Sequence, residues 1–291
     1  MAVRRTIVGI GSPRDLEEAL RAAYYLADEE LATAAYLALA LGKPLLLEGA
    51  PGVGKTEAAK AIAAVLARRL IRLQCYEGID ASTALYEWNY PRQMLAIRQA
   101  GDQPIDIYRD EFLIERPMLA ALRSPEEAVL LIDEIDRSDH EFEAFLLEFL
   151  SDFSISIPER GTLRAHERPV VVLTSNRTRE LHDALKRRCL YHWIEYPDVV
   201  RAAAIVRLHV PTAAEDLTRS VAGAVQRLRG LDLQKPPGVA EAIDWVRTLQ
   251  LLGVVRLDDD ITRSTLGTVL KYREDLDAAL VRGAAWVAGG D

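Results

Sequence analysis

The sequence predicts an α/β fold: a core built on a central parallel sheet, followed by a small all-α region. Three observations carry this. A glycine-rich loop, "GAPGVGKT" (Gly49–Thr56), lies between a short apolar run and a stretch of good helix formers. Two further apolar runs, "AVLLID" and "VVVLTSN", end in polar residues, as strands buried on both faces of a parallel sheet do. After Pro197 no long apolar strand run appears, and segments of helical spacing are separated by Pro and Gly punctuation. At 291 residues the chain is long enough for two domains, expected at 1–197 (α/β core) and 198–291 (helical lid).

Composition narrows the class. With 49% apolar and 27% charged residues the chain is expected to fold rather than stay disordered. No apolar run approaches the ~20 residues that span a bilayer, so no membrane span is expected. The N-terminus, "MAVRRTIVGIGSPRDLEEAL", carries Arg4, Arg5 and an apolar patch too short for a signal-peptide core, and the expected location is cytoplasmic. Cys75 and Cys189 fall in expected core elements, and the five histidines are scattered, so neither a disulfide nor a structural metal framework is expected. A net charge of −8 argues against broad contact with a phosphate backbone, and no nucleic-acid partner is expected.

The chemistry starts at the glycine loop. Leu45–Leu47 reads as a buried strand, and "EAAKAIAAVLARRL" after the loop reads as a helix with one buried face. The loop fits GxxxxGK(S/T), the P-loop pattern. Gly49, Gly52 and Gly54, with Ala50, Pro51 and Val53 between them, let backbone N–H groups wrap a phosphate. Lys55 then reaches the β- and γ-phosphates of ATP, and the Thr56 hydroxyl meets a magnesium ion. Ala128–Ile132 supplies the second strand. Asp133 at its C-terminal end would hold Mg2+, and Glu134 would orient and deprotonate the attacking water. Asp136 and Asp139 read as a solvated acidic turn. Val170–Leu173 is the third strand, and Asn176 at its end is placed to position the same water. Arg187 and Arg188 end an expected helix, where two readings stand: a solvated basic helix end, or an arginine supplied to a neighbouring subunit's ATP.

These elements, in this order, resemble an AAA+ ATPase: "GAPGVGKT" as Walker A, "LLIDEID" as Walker B, "LTSN" as sensor 1 and "RRCLYHWIEYP" as the segment of the arginine finger. The resemblance puts the finger at Arg188. Arg187 stands where the family often has Asp and Cys189 where it often has Phe, which keeps Arg187 as an alternative. "DDDITRSTLGTVL" begins a lid helix with Thr262 as its expected cap, and Arg263 matches the family's sensor 2 position. "FSISIPERGTLRAHERP" (153–169) reads as a hairpin before sensor 1, and the stretch Tyr76–Glu127 is long. Both insertions resemble the MoxR-type branch, with its pre-sensor hairpin and helix insert. "CYEGIDASTALYEWNYPRQMLAIR", "FEAFLLEFLSDF" and "KPPGVAEAIDW" further resemble a CoxD-like group associated with maturation of carbon monoxide dehydrogenase.

That resemblance implies a homo-oligomeric ring, a hexamer, acting as a chaperone-like remodeller of a metalloenzyme client alongside a von Willebrand factor A domain protein. A nucleic-acid motor or loader, and a chelatase-like motor subunit, are the alternatives. Two shorter readings complete the set. "EFEAFLLEFL" places Phe142, Phe145, Leu146, Phe149 and Leu150 on one core-facing stripe. Tyr76–Gln93 puts Tyr76, Tyr86, Trp88 and Tyr90 into fifteen residues, either as an exposed grip for a client or as packing of the insert onto its own domain.

Overall fold

The computed structural model describes residues 9–290, so Arg4, Arg5 and their apolar patch lie outside the described residues. The chain forms two compact units. The first takes in the chain up to Ala23, Ala27–Gly49 and Lys55–Trp193; the second takes in Tyr24–Leu26, Ala50–Gly54 and the chain from Ile194 onward.

The first unit begins with helices α1 (Pro13–Ala22) and α2 (Glu29–Leu41), followed by strand β1 (Leu45–Gly49), α3 (Lys55–Val65) and β2 (Arg69–Gln74). The long connection then holds α4 (Ala81–Ala84), β3 (Tyr86–Trp88), α5 (Tyr90–Ala100), β4 (Leu113–Glu115) and α6 (Pro117–Arg123). After it come β5 (Ala128–Asp133), α7 (His140–Asp152), β6 (Ser154–Ile157), β7 (Gly161–Arg164), β8 (Val170–Ser175), α8 (Asp183–Lys186) and β9 (Leu190–Ile194), whose last residue passes into the second unit.

Five strands form one sheet in the order β2-β5-β8-β1-β9. Neighbours β2/β5, β5/β8 and β8/β1 are parallel. Every residue of β5 and of β1 is buried. Burial of each Val, Leu or Ile side chain in them contributes roughly 1.5–3 kcal/mol. The strand register aligns the polar C-terminal ends: Gln74 of β2 sits opposite Asp133 of β5, and Glu48 of β1 opposite Ser175 of β8. Helix α7 is N-capped by Asp139, whose carboxylate accepts from Phe142 N at 2.8 Å. Its stripe is core as expected: Phe142, Leu146, Phe149 and Leu150 are buried, with Phe145 packed against them.

Both insertions take shape. β6 and β7 form an antiparallel hairpin turning over residues 158–160. In the long insert β3 and β4 pair antiparallel, Trp88 opposite Leu113. Asn89 then caps α5 through its side chain, and Pro91 occupies the first turn. The insert therefore packs on its own unit at Trp88, which is 6% exposed and meets Tyr108 edge-on at 5.2 Å. Tyr90, in contrast, is 64% exposed, and Tyr76 is exposed as well.

The second unit is helical, with α9 (Val199–His209), α10 (Glu215–Arg229), α11 (Val239–Leu251), α12 (Asp259–Thr265), α13 (Arg273–Arg282) and α14 (Ala284–Ala288) around Trp245, Val246, Leu249 and Leu228. Two expectations are corrected here. The cap of α12 is Asp258, which accepts from Ile261 N at 2.8 Å; Thr262 lies inside the helix and is buried. The stretch "TRSTLGTVLKYREDLDAALVRGAAWV", whose spacing reads as helical from the sequence, is not one helix: a 3-10 turn at Leu266–Thr268 and Gly283, with φ 106°, divide it.

Candidate active site

The sheet brings the polar ends of β1, β2, β5 and β8 together. Lys55, first residue of α3, is buried and donates from Nζ to Gly49 O at 2.7 Å. Burial pulls its pKa down to about 8, against the raising influence of Asp136, Asp133, Glu134 and Glu48. Thr56 follows, and its Oγ1 donates to Asp133 Oδ1 at 3.0 Å. Within the glycine loop, Gly52 and Gly54 occupy left-handed backbone conformations, φ 79° and 102°, which side chains with a Cβ disfavour.

Asp133 is 1% exposed and fully engaged. Oδ1 accepts from Thr56 and, in a short hydrogen bond, from Thr174 Oγ1 of β8. Oδ2 accepts from Arg72 of β2, at 2.8 Å from Nε and 2.6 Å from Nη2. Glu134 adopts a left-handed conformation, φ 55°, unusual for a residue with a side chain and of the kind that collects at functional sites. Its backbone N–H donates to Thr174 Oγ1 at 2.9 Å. Its carboxylate accepts from Gln74 Nε2 at 2.9 Å and from Asn176 Nδ2 at 3.4 Å, with Arg137 3.3 Å away.

Asp136 is not the solvated turn residue expected. It is 2% exposed, and its carboxylate accepts from Asn176 N (3.1 Å), Thr178 N (2.9 Å) and Thr178 Oγ1 (2.7 Å). The reason is the Glu134 turn, which leads into a 3-10 segment at Ile135–Arg137 and aims Asp136 at the chain leaving β8. Asp136 thereby fixes where Asn176 stands.

Three expected residues remain, Arg187 and Arg188 in the first unit and Arg263 in the second. Arg188 donates from Nε to Ser151 Oγ at 2.8 Å and from Nη1 to Ala184 O at 3.0 Å. Arg187 is exposed at the C-cap of α8, and no hydrogen bond or ion pair of its side chain occurs among the described residues. Arg263 is exposed, with Nη2 3.7 Å from Asp259. Within the second unit, which includes Ala50–Gly54, Val239 N donates to Gly52 O at 3.1 Å and Tyr196 OH donates to Pro51 O at 2.9 Å. Cys75 is buried and Cys189 half-buried, and burial pushes both thiols up to about 12.

Chemically the constellation offers a buried ammonium beside a glycine loop, a hydroxyl and a carboxylate within 3.0 Å of each other, and a second carboxylate held by two amides. Hard oxygen donors of this kind suit a magnesium ion that keeps several waters and is completed by phosphate oxygens. Among the described residues no group of three or more His, Cys, Asp and Glu side chains is arranged to hold a metal by itself.

The family profile described as AAA domain (dynein-related subfamily) matches residues 44–189, half of the chain. The chain belongs to this family. It is accordingly an AAA+ ATPase, and the matched span runs from before β1 to just after Arg188. Curated relatives include a tetraacyldisaccharide 4'-kinase of Anaeromyxobacter sp. (strain K), 29% identical over 273 residues (81% of this chain, 67% of the relative). The enzyme of the same name from Anaeromyxobacter dehalogenans (strain 2CP-C) is also 29% identical, over 277 residues, with the same coverage. Among solved structures, the Thermotoga maritima RuvB Holliday junction branch migration motor is similar with a TM-score of 0.46 and 20% identity, over 90% of this AAA domain protein and 72% of that chain. A proline-to-glycine mutant of the Thermotoga maritima RuvB scores 0.49 at 18% identity, over 94% and 75%.

Proposed function

We propose that this AAA+ ATPase hydrolyses ATP with magnesium at the ends of β1, β5 and β8 and uses the energy to remodel a protein client. The observation that carries the reading is the convergence of Lys55, Thr56, Asp133, Glu134 and Asn176. In this reading the loop Gly49–Gly54 cradles the phosphates with its N–H groups, and Lys55 pairs with their charge. Thr56 and Asp133 hold magnesium, which when bound screens the phosphate oxygens and withdraws charge from them. Glu134 takes the proton of the attacking water, and Asn176 steadies Glu134 and that water. Arg188, or Arg187, is supplied to the neighbouring subunit of a hexameric ring, and Arg263 approaches the nucleotide from the lid.

The client reading rests on the sequence. The pre-sensor hairpin, the insert and the CoxD-like phrases support a MoxR-type chaperone working with a von Willebrand factor A domain protein. Its client in this reading is a metalloenzyme, the molybdenum-containing carbon monoxide dehydrogenase. Phosphoryl transfer to an acceptor other than water is the competing chemistry, since the Anaeromyxobacter relatives are named as 4'-kinases. Glu134 can take a proton from water or from an acceptor hydroxyl, so turnover in the absence of any acceptor is what separates the two chemistries.

The test is direct. Lys55→Ala is expected to lose nucleotide binding. Glu134→Gln is expected to bind ATP normally and to release phosphate at least roughly 100-fold more slowly, the usual contribution of a general base. Parental turnover by Glu134→Gln in the absence of any acceptor would remove the base assignment.

A further inference from the structure

We propose that Arg72 is the resident counter-ion of Asp133 and competes with the divalent cation for that carboxylate. The inference rests on the reading that Asp133 holds the metal. It starts from the charge at the centre of the sheet. Asp133 is 1% exposed, and burying a charge costs heavily unless it is paired or hydrogen-bonded. One oxygen is taken by two hydroxyls, Thr56 and Thr174. The other is taken twice by Arg72, through Nε at 2.8 Å and Nη2 at 2.6 Å.

The strand places the arginine there. Arg72 and Gln74 are two residues apart on β2 and so share a face. Gln74 lies opposite Asp133 in the β2/β5 register, and Arg72, two residues further back, reaches forward to Oδ2. Nη2 also donates to Gln74 Oε1, and Gln74 in turn donates to Glu134, so one guanidinium ties into both acids. Its side chain is half exposed, so it has room to leave. Lys55, in contrast, is buried against Gly49 and serves the loop.

A magnesium ion, or a water it holds, needs an Asp133 oxygen that is not already occupied. A dication drawn to the carboxylate would also stand within a few ångströms of the guanidinium charge and repel it. Thr56 can free Oδ1 by turning its hydroxyl to the metal, but Arg72 still neutralises the same carboxylate through Oδ2, so the cost of weakening or breaking that pair is subtracted from the apparent affinity for the metal–nucleotide complex. Nucleotide without metal carries no such cost.

The experiment measures the affinity of a fluorescent ADP analogue in excess EDTA and in excess Mg2+, and takes the ratio of the two dissociation constants. For Arg72→Ala the preference for the metal-bound form should rise by roughly tenfold or more, the size expected for losing a charge-assisted hydrogen-bonded competitor. Arg72→Lys keeps a charge for folding but loses the fork, and should shift the ratio in the same direction by a smaller factor. An unchanged or smaller preference in both variants would overturn the proposal and make Arg72 a support that holds Asp133 ready for metal. A wild-type protein that binds nucleotide with a clear Mg2+ preference, alongside variants whose ratio does not move, sinks this inference alone. A wild-type protein without nucleotide binding sinks the underlying reading with it.

Discussion

Truncation of Trp88 to alanine tests whether the aromatic insert is packing or grip. The indole is 6% exposed, and its ring meets Tyr108 at 5.2 Å and Tyr86 at 6.2 Å, both edge-on. It belongs to the same buried cluster as Phe112, Leu113 and Met118. Its Nε1 is buried with no hydrogen-bond partner among the described residues, so truncation removes packing and opens a cavity without breaking a polar bond. A large buried aromatic lost in this way costs roughly 3–5 kcal/mol. At roughly 2–4 °C per kcal/mol for a unit of this size, the melting transition should fall by roughly 6–20 °C. Scanning calorimetry of Trp88→Ala beside Trp88→Phe, which keeps a ring and should lose less, reads the effect. A Trp88→Ala protein that melts with the parent would mean that the side chain is not packed. The reading of Tyr76–Gln93 as an exposed grip for a client would then extend to Trp88 as well as to Tyr90, which is 64% exposed.

Three further outcomes follow from the site and its surroundings. Mixing Arg188→Ala with Lys55→Ala chains should restore part of the ATPase activity through interfaces that combine two intact halves, since a finger supplied across an interface is worth roughly 10³–10⁵ in rate; recovery only with Arg187→Ala in the mixture assigns the finger to that neighbour. Cys75 and Cys189, held up to about 12 by burial, should react with a thiol reagent at pH 8 far more slowly than in urea. Because the folded thiols keep protons that the unfolded chain has lost, stability should fall as pH rises from about 9 towards 12, a slope that thermal melts across that range would show absent if the thiols were accessible.

The motif-bearing strands were legible because their signal is local. A continuous apolar run ending in an acid, or in Asn, describes β5 and β8 without any knowledge of partners, and both strands start at the expected residue. The AAA domain match covers this part of the chain. What escaped depends on pairing between distant strands. Arg72 and Gln74 look like ordinary polar residues of a half-exposed strand; only the β2/β5 register makes them neighbours of Asp133 and Glu134. Their alternation on one face was the available signal. Asp136 was misread because an acid after a strand is usually solvated, whereas the left-handed turn at Glu134 rotates it inward. The aromatic insert resisted reading for a different reason: a three-residue strand and a helix meet at Asn89, so neither period runs long enough to be recognised.

Gly238 raises the sharpest steric question in the second unit, since its backbone, φ −86°, is open to any residue. Its need for glycine is contact alone. A Cβ there would stand 2.8 Å from both Cα and O of Gly52, and 2.9 Å from a Glu241 carboxylate oxygen that caps its own N–H. Two of these three atoms are backbone, so they cannot rotate away. Gly238→Ala must then push the glycine loop or tilt the start of α11, stretching the Val239 N–H to Gly52 O bond of 3.1 Å. Overpacking of this kind costs roughly 1–3 kcal/mol. If the loop rather than the helix yields, the N–H groups proposed to bind phosphate move with it, and displacements of about 1 Å at such groups can cost on the order of 100-fold in function. Gly267→Ala is the control: a Cβ there meets nothing within 4 Å, and its stability should stay within about 0.5 kcal/mol of the parent. Calorimetry and nucleotide titration of the two variants separate the cases. A Gly238→Ala protein with reduced stability and parental nucleotide affinity places the strain in α11. One with parental values of both would show that the close approach of Gly52 and Gly238 does not hold the glycine loop at all.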